Sequence, residues 1–429
     1  MSASSDHAAG WFSRLAHSAH FNPLVEQAGA GGASSARGAS GSSTTFVAAA
    51  IAIRTGRPVL LVTAHLDEAD EALAELNDLH ASGVGPECAL LPALESIVGE
   101  GTTTLDLLSD RLTLVRRMAE GNVAPITVAP FPSLMQTVPG AALLPKLLRV
   151  VREGQRIDRR ELTEWLTDAG YVRSDAIESP CEFAIRGGVM DIFPPGGAMP
   201  VRLDLFGDEL ERIFEIDLAT QASDGRVREV QLVGASSEAL LGDEGKQPFA
   251  ELLPKGVVCL LAELSEILEQ GRGYWERAQD ARGVLAPPAV FRSLNAACHA
   301  VIDVNGFSTT NATERVCSLP IESLPPFEGD VALAMKEIAR LAGEGSVALC
   351  CDTEGELARA GELVQEHAHA HASRVQPIRQ HVHRGFRWIE SDHHALTVAP
   401  QHELLQRFGV RRRVQRVGAA TSREAFMQF

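Results

Sequence analysis

Near the N-terminus, Gly38-Ala39-Ser40-Gly41-Ser42-Ser43-Thr44-Thr45 is the run best placed to hold a phosphate. In the pattern G-x-x-x-x-G-K-[ST], glycine-rich backbone cradles phosphate oxygens, the lysine neutralises the β- and γ-phosphates, and the hydroxyl holds Mg2+. Gly38 and Thr45 keep the two ends of that pattern, but Ser43 stands where the second glycine belongs and Thr44 where the lysine belongs. Without the cation a triphosphate loses its main neutralising contact. Gly38, Gly41, Ser43, Thr44 and Thr45 therefore read as a degenerate phosphate loop that holds no nucleotide.

Two metal-like groups follow. Asp67-Glu68-Ala69-Asp70 spells the helicase metal box, but it runs into DEALAELNDL, where Leu66, Ala69, Leu73 and Leu76 recur at helical spacing. Its acids are expected in the first turn of a helix, where the macrodipole favours them. His367, His369, His371, His381, His383, His393 and His394 crowd a later region, with His367 and His371 at a ligand-like interval of four. The run HAHAHAS reads instead as a fraying helix end. No Ser-His-Asp set, G-x-S-x-G elbow or paired catalytic carboxylate stands out. The expectation is no catalytic residue, no metal and no cofactor.

The elements that would position these groups come next. Residues 8–27 form a weakly amphipathic helix, 28–43 a Gly/Ala/Ser-rich loop, 46–54 a helix and 58–63 (PVLLVT) a buried parallel strand. The clearest pattern lies in 181–223. Phe183 and Ile185 alternate with Ala184 and Arg186, and Val201, Leu203 and Leu205 alternate with Arg202, Asp204 and Phe206. Gly187-Gly188, Pro194-Pro195-Gly196-Gly197 and Gly207-Asp208 mark the turns of an antiparallel meander. Its outer face carries arginines and a ring. On the residues alone that face is either a solvated surface, with Arg202 paired to a carboxylate and Phe206 under a loop, or a protein-binding patch.

Composition narrows the classes. The chain has 429 residues, a formal net charge of -17 and 5% aromatic residues. Such a balance repels a phosphate backbone and offers few stacking platforms, so strong direct nucleic-acid binding is not expected. Arg407 to Arg416 reads as a solvated linker. Seven cysteines without a C-x-x-C pair indicate reduced thiols, and Cys350-Cys351 reads as strand core. With no signal peptide and no membrane-length apolar run, the expected location is cytoplasmic.

Several motifs in one order resemble a known family. FAIRGGVMDIFPPG (183–196), PVRLDLFGDELERI (200–213) and FEIDLATQAS (214–223) are similar to the module shared by the excision-repair protein UvrB and the transcription-repair coupling factors, a module that docks UvrA. The PPG turn and DLATQAS look more like the coupling factors, as do the degenerate loop and the segments LLPALESIVGE (90–100) and LDLLSDRLTLVRRM (105–118). UvrB carries a DNA-clamping hairpin at that junction. Here only 99–104 intervenes, without tyrosine, so the clamp is expected to be absent.

The resemblance runs from about Phe46 to Arg413 and corresponds to the N-terminal third of the family. It implies an α/β chain: a degenerate P-loop domain (RecA-like, similar to UvrB domain 1) at 1–147 and 226–326, an inserted small α+β UvrA-binding domain at 148–225, a small α/β domain at 328–416 and a linker at 417–429. Strands or core segments are expected at 230–233, 257–261, 290–294 and 300–304, around a helix at 264–277. By motif position Arg186, Arg202 and Phe206 would contact UvrA. Removing both arginines would leave the fold intact and abolish capture. The family also meets RNA polymerase and DNA through other domains, which this sequence lacks, as a fragment or as a stand-alone form. The rival reading is a UvrB-like ATP-dependent DNA-binding repair protein.

Overall fold

The computed structural model describes residues 3–94, 102–195, 199–234, 245–278, 283–306, 315–327, 329–391 and 394–405. The chain opens with helices α1 (Ala3–Ala16) and α2 (Asn22–Ala30). Strand β1 (Gly32–Arg37) leads through a tight loop into α3 (Ser43–Thr55), β2 (Val59–Thr63) and α4 (Leu66–Ala81). Then come β3 (Cys88–Leu90), α5 (Thr102–Ala119) and β4 (Ile126–Pro130).

Short strands β5 (Val138–Pro139) and β6 (Leu148–Arg152) precede β7 (Val172–Arg173), β8 (Glu182–Arg186), β9 (Val189–Phe193), β10 (Val201–Phe206), β11 (Glu209–Asp217) and β12 (Ala222–Val227). After β13 (Glu229–Val233) and β14 (Lys246–Gln247) come β15 (Val258–Ala262), β16 (Ala300–Asn305) and β17 (Arg315–Ser318). The last set is β18 (Ile321–Ser323), β19 (Gly345–Cys351), β20 (Val375–Arg379), β21 (Phe386–Ser391) and β22 (His394–Pro400).

Three main sheets result. A seven-stranded parallel sheet has the order β17-β1-β16-β15-β2-β4-β3, so strands from before residue 131 interleave with strands from after residue 257. Its interior strand β2, between β15 and β4, is buried at all five positions, as an apolar run covered by helices on both faces requires. The second sheet, β12-β11-β10-β9-β8-β7, is built wholly from 172–227 and follows chain order, the signature of a meander. The third, β18-β21-β22-β19-β20, lies after residue 320. One hydrophobic core joins the first sheet to the third: Phe21 stacks on Trp388 at 4.7 Å, and Trp11 meets Phe46 edge-on at 5.0 Å.

Several expectations need correction. Residues 28–43 are not one loop: α2 runs to Ala30 and β1 occupies 32–37, held between β16 and β17. Its sequence GASSAR has no strand pattern, and the register comes entirely from its neighbours. Of the two readings open for 290–294, strand or core segment, the structure gives the second: Val290 and Leu294 are buried within the helix Pro287–Ala297, whose paired prolines suit a first turn. Residues 8–27 are two helices joined by a 3-10 turn at Ala19–Phe21. Strand β13, expected with the first domain, pairs instead with β6 and buries Val230 and Leu232 against the meander's core. Strands β20 and β21 had no counterpart in the sequence reading. The 407–416 segment and His393 lie outside the described residues.

Candidate partner-binding face and the 38–45 loop

The meander is aimed by the helix Arg159–Asp168. Asp158 caps it, its carboxylate accepting from the amides of Arg160 and Glu161 at 2.8 and 3.2 Å. Leu162 and Leu166 then face Phe183, Met190, Ile192, Val201, Leu203 and Ile213 in one buried cluster. Because side chains alternate along a strand, that packing turns the other set outward. In β10 the pattern is strict, with Val201, Leu203 and Leu205 buried, Arg202 and Asp204 half-buried and Phe206 exposed.

Cross-strand register brings the expected residues together. Arg186 pairs with Val189, which pairs with Asp204, which pairs with Arg212. One row along, Ala184, Asp191, Arg202 and Phe214 are opposite one another. Arg186, Arg202 and Phe206 thus share the outer face, within neighbouring rows.

Their states differ. Phe206 is 77% exposed, at the end of β10, with no loop of the described residues over it. Arg186 is exposed and donates Nε to the Asp175 carbonyl at 3.0 Å, with Nη2 on the same oxygen. Arg202 is already forked: Nε and Nη2 donate to Asp191 at 2.7 and 2.8 Å, and that carboxylate is only 4% exposed. The hydrogen bond to Asp191 holds the guanidinium's pKa above its ordinary value. Removing Arg202 would strand a buried carboxylate, so a double deletion of Arg186 and Arg202 carries a stability cost at Arg202. Arg212 completes the surface, paired with Asp204 at 2.8 Å and lying over the Phe214 ring at 5.8 Å.

The 38–45 loop connects β1 to α3 at the carboxyl end of the parallel sheet. Six of its eight amides donate within the protein. Gly38 and Ala39 donate to Asn305 O at 2.8 and 3.1 Å, Ser40 to Ser43 Oγ at 2.9 Å, and Ser43 and Thr45 to Ser40 O and Ser42 O, each at 3.1 Å. The amide of Ser42 donates to Arg384 O at 2.9 Å, and the Arg384 amide donates back to Ser42 Oγ at 2.9 Å. Gly41 sits at φ +55°, and a Cβ there would lie 2.6 Å from Gly385 O and 2.8 Å from Arg384 O. The third sheet's 384–385 backbone therefore occupies the mouth of the loop.

The remaining candidates separate. Asp67 and Glu68 lie in the first turn of α4, and Glu68 Oε2 accepts from the amides of Ala64 and His65, each at 3.1 Å. His367 ends the helix Glu354–His367, whereas His371 belongs to the following 3-10 segment, so the interval of four does not place both on one helix. A group the sequence did not bring together is His65, Glu68 and Glu266, whose ligand atoms lie within 4.8 Å of one another. These residues stand at the N-termini of α4 and of the helix Leu264–Arg277, where helix dipoles favour carboxylate over cation. His381, left within the histidine crowd, is buried between Glu71 and Asp352. Nothing in its neighbours reveals this, because Glu71 lies 310 residues away.

Comparison with known proteins bears on this surface. Residues 150–237 match the UvrB interaction domain. The chain is 29% identical over 228 residues to the transcription-repair-coupling factor of Bacillus subtilis and 30% identical over 241 residues to that of Myxococcus xanthus. It is 32% identical over 241 residues to that of Mycobacterium bovis. The alignments take in 53%, 55% and 54% of this chain but 19%, 20% and 19% of those relatives, so the chain spans about a fifth of their length. Residues 150–237 are thus similar to the UvrB interaction domain, within a region like the N-terminal part of a transcription-repair-coupling factor.

Proposed function

We propose that this chain, a coupling-factor-like region bearing a UvrB interaction domain, is a non-catalytic docking unit that recruits UvrA for nucleotide excision repair. The observation that carries the reading is the outer face of the 172–227 sheet. It presents Phe206, 77% exposed, within the matched 150–237 region and on the same face as Arg186 and Arg202. An exposed ring among guanidiniums is the composition of an interface hot spot rather than of a solvated sheet face. In this reading Phe206 fills an apolar pocket and Arg186 exchanges its carbonyl partner for a UvrA carboxylate, a stronger charge-assisted bond. Arg202, pinned to Asp191, keeps the strand rigid, and its Nη1, 3.4 Å from Ser223 Oγ, is the nitrogen left to turn toward a partner.

Support against an ATP-dependent role comes from the 38–45 loop. It lacks the lysine, and six of its eight amides already donate within the protein, which weakens any nest for a phosphate. The polymerase-facing and DNA-translocating activities of full-length relatives form no part of the proposal.

Co-elution of the chain with purified UvrA at low and physiological salt tests the partner. Retention at both is expected, because a ring-centred contact is only partly screened. Absence of a complex at low salt would overturn the reading.

A further inference from the structure

Between β20 and β21 the 380–385 segment crosses α4 and reaches the 38–42 loop. At its centre, His381 is 3% exposed. Nε2 stands 2.5 Å from Glu71 Oε2 on α4, and Nδ1 stands 2.8 Å from Asp352 Oδ1 at the end of β19. A neutral imidazole donates from one nitrogen only. With a carboxylate at each nitrogen, both contacts are hydrogen bonds only in the doubly protonated ring, so the imidazolium staples the third sheet to α4.

The backbone of the segment follows that staple. The His381 amide donates to Asp78 Oδ2 at 2.8 Å, the His383 amide to Glu75 Oε1 at 2.8 Å, and Gln380 Nε2 to Glu75 O at 2.9 Å. Glu71, Glu75 and Asp78 form one acidic face of α4 at helical spacing. Glu75 is 1% exposed, near the hydroxyls of Ser42 and Thr45. Around the ring the other charged or titratable groups include Arg379, 3.5 Å from Asp78, His383 and Arg384 of the segment itself, Cys350 and Cys351 of β19, and His402 and Glu403 of the short helix Gln401–Leu404. Val382 lies in the shared aromatic core, so loosening of this segment does not by itself part the two sheets.

We propose that His381 is a charge-operated catch that keeps the 380–385 segment closed over the degenerate loop, and that loss of its imidazolium charge releases this segment while the sheets stay joined. Burial by itself lowers the histidine's pKa, but the hydrogen bonds to Asp352 and Glu71 outweigh it and raise the pKa to about 9. The stabilisation is complete below the ordinary 6.5 and is lost as pH rises through about 9. Desolvation pushes Glu75 up to about 7, so its contribution also fades as pH rises through that value.

Trypsin reads the release directly, because Arg379 and Arg384 flank the segment. Cleavage of the full chain at these arginines is measured from pH 7 to 9.5 and normalised to a small arginine substrate. The expected rise is at least about tenfold for the wild type. His381→Gln is cleaved rapidly throughout, and Glu71→Gln moves the rise about one pH unit lower, a shift that loss of packing alone does not produce. Cleavage independent of pH, His381→Gln as resistant as wild type at pH 7, or a rise that coincides with loss of the far-UV circular dichroism signal would each overturn the proposal. Should His381→Gln fail to fold, the midpoint shift in Glu71→Gln decides the matter.

Discussion

Arg186, Arg202 and Phe206 share a face, yet Arg186 and Phe206 are exposed while Arg202 is half-buried. Alternation along β10 was legible in the sequence, since a period of two assigns faces without any knowledge of the partner strands. Pairing was not. Asp191 lies opposite Arg202 only through the β9–β10 register, and it is that neighbour which turns an apparent binding arginine into half of an internal pair. Arg202→Ala is expected to lower stability by about 2–4 kcal/mol, because Asp191 keeps its burial and loses its counter-charge. Arg186→Ala, which gives up a surface bond to a carbonyl, is expected to stay within about 0.5 kcal/mol of wild type. Urea denaturation midpoints check both. Equal losses would show that the Asp191 pair has no special weight.

Among the elements, those with strong internal patterning were readable. The helix Glu354–His367 begins with a Thr353/Glu356 capping box, and the 181–223 meander carries its turns as glycine and proline pairs. Elements that owe their form to neighbours were not. Strand β1 is small and polar and exists because β16 and β17 offer ladders on both sides. Strand β20 contains Pro377 on the edge of its sheet, where the missing amide costs no ladder bond. The 38–45 loop combines the two cases: the threonine at 44, where a phosphate loop has lysine, was visible in the sequence, but its closure by Arg384 and Gly385 depends on chain more than 300 residues away. Gly41→Ala places a methyl group against those carbonyls at a left-handed φ. It is expected to cost about 2 kcal/mol or more, measured by thermal unfolding. An unchanged melting temperature would mean that the loop is open.

At the scale of the whole molecule, the parallel sheet, the aromatic core and the third sheet act as a frame for a module that projects its own outer face. Among the described residues no helix is long and apolar enough to cross a membrane. A chain of net charge -17 whose loop amides mostly donate within the protein should give no heat in a Mg-ATP titration up to ~1 mM. Micromolar binding would restore the ATP-dependent alternative. The account's centre is the exposed ring on the meander. Calorimetric titration of UvrA with the wild-type chain and with Phe206→Ala tests it most directly, since the substitution removes an exposed side chain and leaves the fold undisturbed. A loss of about 2 kcal/mol of binding, roughly thirtyfold in Kd, is predicted, and equal affinity of the two proteins would contradict the assignment of this face.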